Sequence, residues 1–169
     1  DILGRPVEFY RDLKGGEKDS QIRNLLEMVE LPAQFGDRYP HELSGGQKQR
    51  VSLARALAAG PEVVLCDEVT SALDTIVGAN VIDLLKTLRR ETGVSFVFIS
   101  HDLSTVASFA DHIVVMYDGQ VAEQAPTDNL LMPPHHPYTD LLIASVPEMR
   151  TGWLEEAIES RDSDGHRIF

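Results

Sequence analysis

The chain has 169 residues, 43% hydrophobic and 25% charged, the proportions of a soluble globular domain with its own core. Lys and Arg number 15 against 27 Asp and Glu, and the net charge of −12 argues against a nucleic-acid-binding surface, which shows a basic stripe. No apolar run reaches the roughly 18 residues that cross a bilayer, no secretory signal opens the chain, and a first residue that is not Met suggests a piece of something longer.

The opening reads as helix and loop. Ser20 is expected to cap a helix carrying Ile22, Leu25, Leu26 and Val29, an i, i+3, i+4, i+7 stripe that Leu31-Pro32 ends. Ser44 then caps a helix running to about Ala59, with Val51, Ala54, Leu57 and Ala58 on one side and Gly60-Pro61 as the stop. The apolar run from Val63 to Cys66 reads as a strand buried on both faces, as in a parallel sheet. Within it the single Cys66 cannot form an internal disulfide and reads as a small core residue in a reducing cytosol.

A further helix puts Val81, Leu84, Leu85 and Leu88 inward, carries Lys86, Arg89 and Arg90 near its end and stops at Gly93. Val94 to Ile99 is a second buried strand, Leu103 to Phe109 a short helix, and Ile113 to Tyr117 a third strand that Asp118-Gly119 turns into Val121. Strand, helix, strand, helix, strand points to one α/β sheet with helices packed on it. From Pro126 the character changes. A Pro-rich break, Pro133 to Pro137, leads to a helix from Thr139 to about Ser145. The tail after Trp153, with Glu155, Glu156, Glu159, Asp162 and Asp164, reads as a solvated and partly disordered segment.

Four segments can carry chemistry. Leu43-Ser44-Gly45-Gly46-Gln47 opens a helix, where unpaired N–H groups and the helix dipole attract phosphate, and two residues without Cβ let an anion approach. Sixteen residues after Gln47 the second begins, and it ends in Asp67-Glu68: the first carboxylate can hold Mg²⁺ against phosphate oxygens, and the next can act on an attacking water as general base. Asp74, in Ser71-Ala72-Leu73-Asp74, serves equally well as a helix cap. His101 follows the strand ending at Ile99, in the region where open α/β sheets bind ligands, and can donate a hydrogen bond to a γ-phosphate.

Taken together and in this order, these segments resemble the second half of an ATP-binding-cassette (ABC) ATPase. The resemblance identifies Leu43 to Gln47 with the signature motif, Val63 to Asp67 with the Walker B strand, Glu68 with the catalytic glutamate, Ser71 to Asp74 with the D-loop and His101 with the switch histidine. His136-Pro137-Tyr138-Thr139, followed by Leu141-Leu142 and Val146-Pro147, looks like the C-terminal extension of the oligopeptide and dipeptide importers. The adjacent His135 and His136 are poorly spaced to share a metal, and one Cys excludes the cysteine cluster of some relatives.

The resemblance implies an α/β fold, the C-terminal part of a P-loop NTPase (RecA-like) sheet with part of the ABC helical subdomain, the N-terminal half of the domain missing. It divides the chain into a helical remainder with the signature (1–60), half of the RecA-like core (61–125) and the extension (126–169). No Gly-x-x-x-x-Gly-Lys-Ser/Thr occurs in the sequence; Gly15-Gly16-Glu17-Lys18-Asp19 has the wrong spacing and no Ser or Thr after Lys. Val69 stands where the family usually has proline, expected to change loop stiffness modestly.

The implied cofactors are ATP and Mg²⁺, with Asp67 as metal ligand, Glu68 and His101 catalytic, and Ser44, Gly45, Gly46, Gln47 and Asp74 on the nucleotide. The signature would act in trans, across a dimer with a second ABC ATPase subunit (homo- or heterodimer). The other implied partners are transmembrane permease subunits and a solute-binding protein, with no nucleic acid, at the cytoplasmic face of the membrane. A non-transport ATPase of the superfamily and a non-enzymatic docking module are the alternatives.

Overall fold

The computed structural model describes residues 2–145. The chain falls into two units, Asp1–Ser100 and His101–Phe169, taken one at a time below.

The first unit opens on two helices, α1 (Gly4–Arg11) and α2 (Gly15–Met28), and two 3₁₀ turns, Ala33–Asp37 and Pro40–Glu42. Helix α3 (Gly45–Ala58), strand β1 (Val63–Asp67), helix α4 (Thr75–Thr92) and strand β2 (Ser95–Ile99) follow. The expected cap at Ser20 is wrong. Helix α2 begins at Gly15, with Glu17 in its first turn where the dipole favours a carboxylate. Ser20 lies inside the helix, its hydroxyl accepting from Arg23. The apolar stripe is nonetheless the one expected: Leu25, Leu26 and Val29 are buried. They join Val7, Ala54, Ala58, Leu84, Leu85 and Leu88 in the core of this unit.

Two arginines fix α3 to the helices before it. Arg50 Nη1 donates to Val29 O (2.9 Å) and to Glu30 Oε2 (2.6 Å) at the end of α2, and Arg11 Nε donates to Ala58 O (3.1 Å). Helix α4 ends as its sequence implies, with Arg89 and Arg90 in the last turn and Gly93 left-handed at φ 71.

Strands β1 and β2 pair in parallel, Val63 with Ser95 through Asp67 with Ile99. The expectation of burial on both faces does not hold. Val64 and Cys66 point into the core, but Val63, Leu65, Val97 and Ile99 are between 45% and 65% exposed. An apolar run signals burial only when enough chain is present to cover both faces, and two strands with helices against one face leave the other open.

The second unit holds α5 (Leu103–Phe109), β3 (His112–Tyr117), β4 (Gln120–Pro126), α6 (Thr127–Leu130) and α7 (Pro137–Ala144). The third strand does not join the first two in one sheet, as its place in the chain suggested: β3 pairs antiparallel with β4 as a separate two-stranded sheet. The turn is the one expected, Asp118 and Gly119 both at positive φ (49 and 74), as a two-residue hairpin of type I′ requires. Leu103, Ile113, Val115 and Leu130 form the core of this unit, with Tyr138 and Leu142 of α7 against it. Val146-Pro147 and the acidic tail lie outside the described residues. Among the described residues no helix is long and apolar enough to cross a membrane.

Candidate functional site

Ser44 is the N-cap of α3 in a full capping box: its Oγ accepts from Gln47 N (3.3 Å) and Gln47 Oε1 accepts from Ser44 N (3.0 Å). These bonds leave out the N–H groups of Gly45 and Gly46. Ser44 and Gly45 are exposed, Gly46 and Gln47 half-buried, so the turn is open to a ligand. The glycines also answer a need that the sequence does not display. A Cβ on Gly46 would lie 2.6 Å from Val77 Cγ1, and one on Gly45 3.3 Å from Leu73 Cδ2. The start of α3 thus packs directly on the Ser71–Val77 segment, and these two positions are small for packing before any phosphate arrives.

Asp67 ends β1 exposed, and Glu68 is half-buried beside it. The backbone of Glu68 is left-handed, with φ 50. Its N–H donates to Ile99 O (3.0 Å), and its carbonyl accepts from Ser71 N (3.2 Å) and Ser71 Oγ (2.9 Å). Asp74 caps α4, its carboxylate accepting from Val77 N (3.0 Å). The helix-cap role open to it in the sequence is therefore real. His101, exposed, stands in the chain two residues after Ile99, the register partner of Asp67.

The residue after His101 is a cap that sequence reasoning passed over. Asp102 heads α5, accepting from the hydroxyls and backbone N–H groups of Ser104 and Thr105. Partial burial pushes its carboxyl up, but those four bonds outweigh burial and hold it below the ordinary range. Asp-x-Ser-Thr before a helical run was the available signal.

A cavity of about 300 Å³ opens between α3, β1 and α4, with Arg50, Arg55 and Asp67 in its wall. The Ser44–Gln47 turn and Asp74 lie outside it. Cys66, also in that wall, has its thiol pushed up to about 11 by burial, so it stays protonated and unreactive.

In the second unit, the His136-Pro137-Tyr138 segment is tied to the hairpin. His136 caps α7, its Nδ1 accepting from Tyr138 N (3.1 Å), while its own N–H donates to Glu123 Oε2 on β4 (2.9 Å). The ring of Tyr138 lies 4.5 Å from that of Tyr117 on β3. His135 Nδ1 meets Asp140 Oδ1 at 2.8 Å. The buried Thr139 hydroxyl beside Glu123, short of full hydrogen-bond geometry, and the His136 N–H hold the Glu123 carboxyl below its usual range. A depressed carboxyl contributes stability above its unfolded value and loses it as pH falls through the folded one. We therefore expect Glu123→Gln to destabilise this unit at neutral pH, with the difference from the parent shrinking in acid; urea unfolding at two pH values checks it.

Residues 5–71 match the family described as ABC transporter, and residues 122–168 the oligopeptide/dipeptide transporter C-terminal region. The chain is 42% identical over 158 residues to the dipeptide transport ATP-binding protein DppF of Haemophilus influenzae, covering 94% of this chain and 48% of that protein. To the oligopeptide transport ATP-binding protein OppF of Bacillus subtilis it is 44% identical over 148 residues, 87% of this chain and 48% of the relative. It thus spans about half the length of the curated relatives it matches.

The ATP-binding cassette MJ0796, solved as a dimer bound to ADP and Pi, superposes with a TM-score of 0.64 at 37% identity, over 74% of this chain and 54% of that one. CbiO1 of Clostridium perfringens, at 24% identity, shares the fold with a TM-score of 0.70 over 94% of this chain and 59% of its own. A signature-like capped turn, a strand ending in Asp-Glu and a His-Pro-Tyr helix tied to a hairpin, all on a chain matched in this way at both ends, place the protein in the ATP-binding-cassette transporter family, among members with the oligopeptide/dipeptide C-terminal region.

Proposed function

We propose that this chain belongs to the nucleotide-binding subunit of an ABC importer that couples ATP hydrolysis to uptake of a small solute, an oligopeptide or dipeptide. The observation that carries the reading is the open Ser44–Gln47 turn and the exposed Asp67 on one chain with the importer-type extension. The three-part division at 60 and 125 belongs to the same reading. So do the partners: a second ATPase subunit, transmembrane permease subunits and a solute-binding protein, at the cytoplasmic face of the membrane.

Each residue then has a physical task. The N–H groups of Gly45 and Gly46 and the Ser44 hydroxyl, with Gln47 holding the turn, face the γ-phosphate of nucleotide carried by the partner subunit. Asp67 would hold Mg²⁺, which takes one or two carboxylates and fills its remaining positions with phosphate oxygens and water. An exposed single carboxylate at a strand end fits that demand. When bound, the ion neutralises charge on the transferring phosphoryl group. Glu68 takes the proton of the attacking water. His101 donates a hydrogen bond to the γ-phosphate, and Asp74 fixes the D-loop against the nucleotide through its cap.

Phosphoryl transfer depends on positioning and charge neutralisation, and most of the cradle in this family comes from a P-loop that the sequence does not contain. The chain by itself is therefore expected not to bind Mg-ATP with micromolar affinity, which calorimetric titration tests. In a complete subunit containing this chain, Glu68→Gln should reduce turnover by roughly 10²- to 10⁴-fold while nucleotide binding persists. Unchanged turnover would overturn the assignment and favour a docking module.

A further inference from the structure

Among the described residues, four other than glycine have positive φ: Asp12, Glu30, Glu68 and Asp118. Three have local reasons. Asp12 and Glu30 follow the ends of α1 and α2, where left-handed residues terminate helices, and Asp118 lies in the hairpin turn. Glu68 follows a strand, where no turn type asks for it, and local propensity would place Gly or Asn there. A strained residue persists when its neighbours over-determine it. The Ile99 carbonyl and the N–H and hydroxyl of Ser71 do so, and all three act on the backbone of Glu68.

We propose that Ser71 is a positioning residue: its hydroxyl holds the Glu68 backbone in the left-handed turn and so fixes the direction in which the carboxylate leaves the end of β1. This deepens the reading of Glu68 as general base and rests on it. The strain is retained for the side chain it aims. Removing that side chain should stabilise the fold, and removing the Ser71 hydroxyl should let the turn relax.

The first test uses the 169-residue chain without nucleotide. Glu68→Gly should shift the unfolding equilibrium toward the folded state by about fivefold, because glycine accepts positive φ without a steric penalty. Ser71→Ala should shift the Glu68 carbonyl carbon resonance and its HN–Hα coupling, and Ser71→Thr, which keeps a hydroxyl, should restore both. Ser71 is exposed, so the variants are expected to fold. In the complete subunit, Ser71→Ala should lower kcat by roughly tenfold to a hundredfold with KM little changed, and Ser71→Thr should rescue it. Unchanged Glu68 resonances in Ser71→Ala, or a Glu68→Gly chain no more stable than the parent, would overturn the proposal and leave the role of Glu68 standing. Unchanged turnover on Glu68→Gln would remove that role whatever the resonances show.

Discussion

Charging the outer face of the β1–β2 pair, with Leu65→Lys and Val97→Glu together, is expected to lower self-association of the chain on the order of a hundredfold without unfolding it. Leu65 and Val97 are register partners on the open face, flanked by Val63 and Ile99. An exposed apolar face of this kind invites another chain. Burying a large aliphatic side chain is worth about 1.5–3 kcal/mol, so withdrawing two of them from an interface weakens it by about 3 kcal/mol, on the order of a hundredfold in an association constant. Opposite charges at a paired position suit each other across the strands, so the pairing should survive. Sedimentation velocity over a concentration series measures the change, and far-UV circular dichroism shows whether the fold persists. A parent chain that stays monomeric at high concentration would show that this face is not adhesive, and the open-sheet account would fail.

That face marks where the sequence stops being informative. The caps at Ser44 and Asp74, the stop at Gly93 and the turn at Asp118-Gly119 depend on bonds within a few residues, and their chemistry is written locally. The inward stripe of α4 is legible for the same reason, since helical period alone selects Val81, Leu84, Leu85 and Leu88. Exposure of Leu65 depends on what packs beside the strand, and no local pattern records that. Ser20 misled because a good capping residue does not start a helix when the segment before it is already helical.

At the candidate site the sequence offers Asp67, Glu68 and His101 by type and order but not the constraints on them: the left-handed backbone of Glu68 is invisible in a glutamate, and the bond from His136 N to Glu123 spans 13 residues.

Gly46→Ala is expected to destabilise the chain by about 1–3 kcal/mol, against the direction that helix propensity gives. Alanine in place of glycine within a helix ordinarily gains roughly 0.5–1 kcal/mol. Gly16 in α2, whose added Cβ would meet nothing within 4 Å, should show that gain and serves as the control. At Gly46 the added carbon would lie 2.6 Å from Val77 Cγ1. A valine on a helix is confined to one rotamer and cannot swing aside, and Asp74 pins the first turn of α4 through Val77 N itself. One of the two helix starts must therefore shift, and overpacking outweighs propensity. Urea unfolding of both variants decides the sign. The double variant Gly46→Ala, Val77→Ala should recover most of the loss, since it removes the opposing methyl groups. That recovery also separates packing from ligand contact at the same residue. If Gly46→Ala abolishes turnover in a complete subunit and Val77→Ala restores it, the helix junction was at fault. If stability returns and turnover does not, the absence of a side chain at Gly46 is needed by the nucleotide as well.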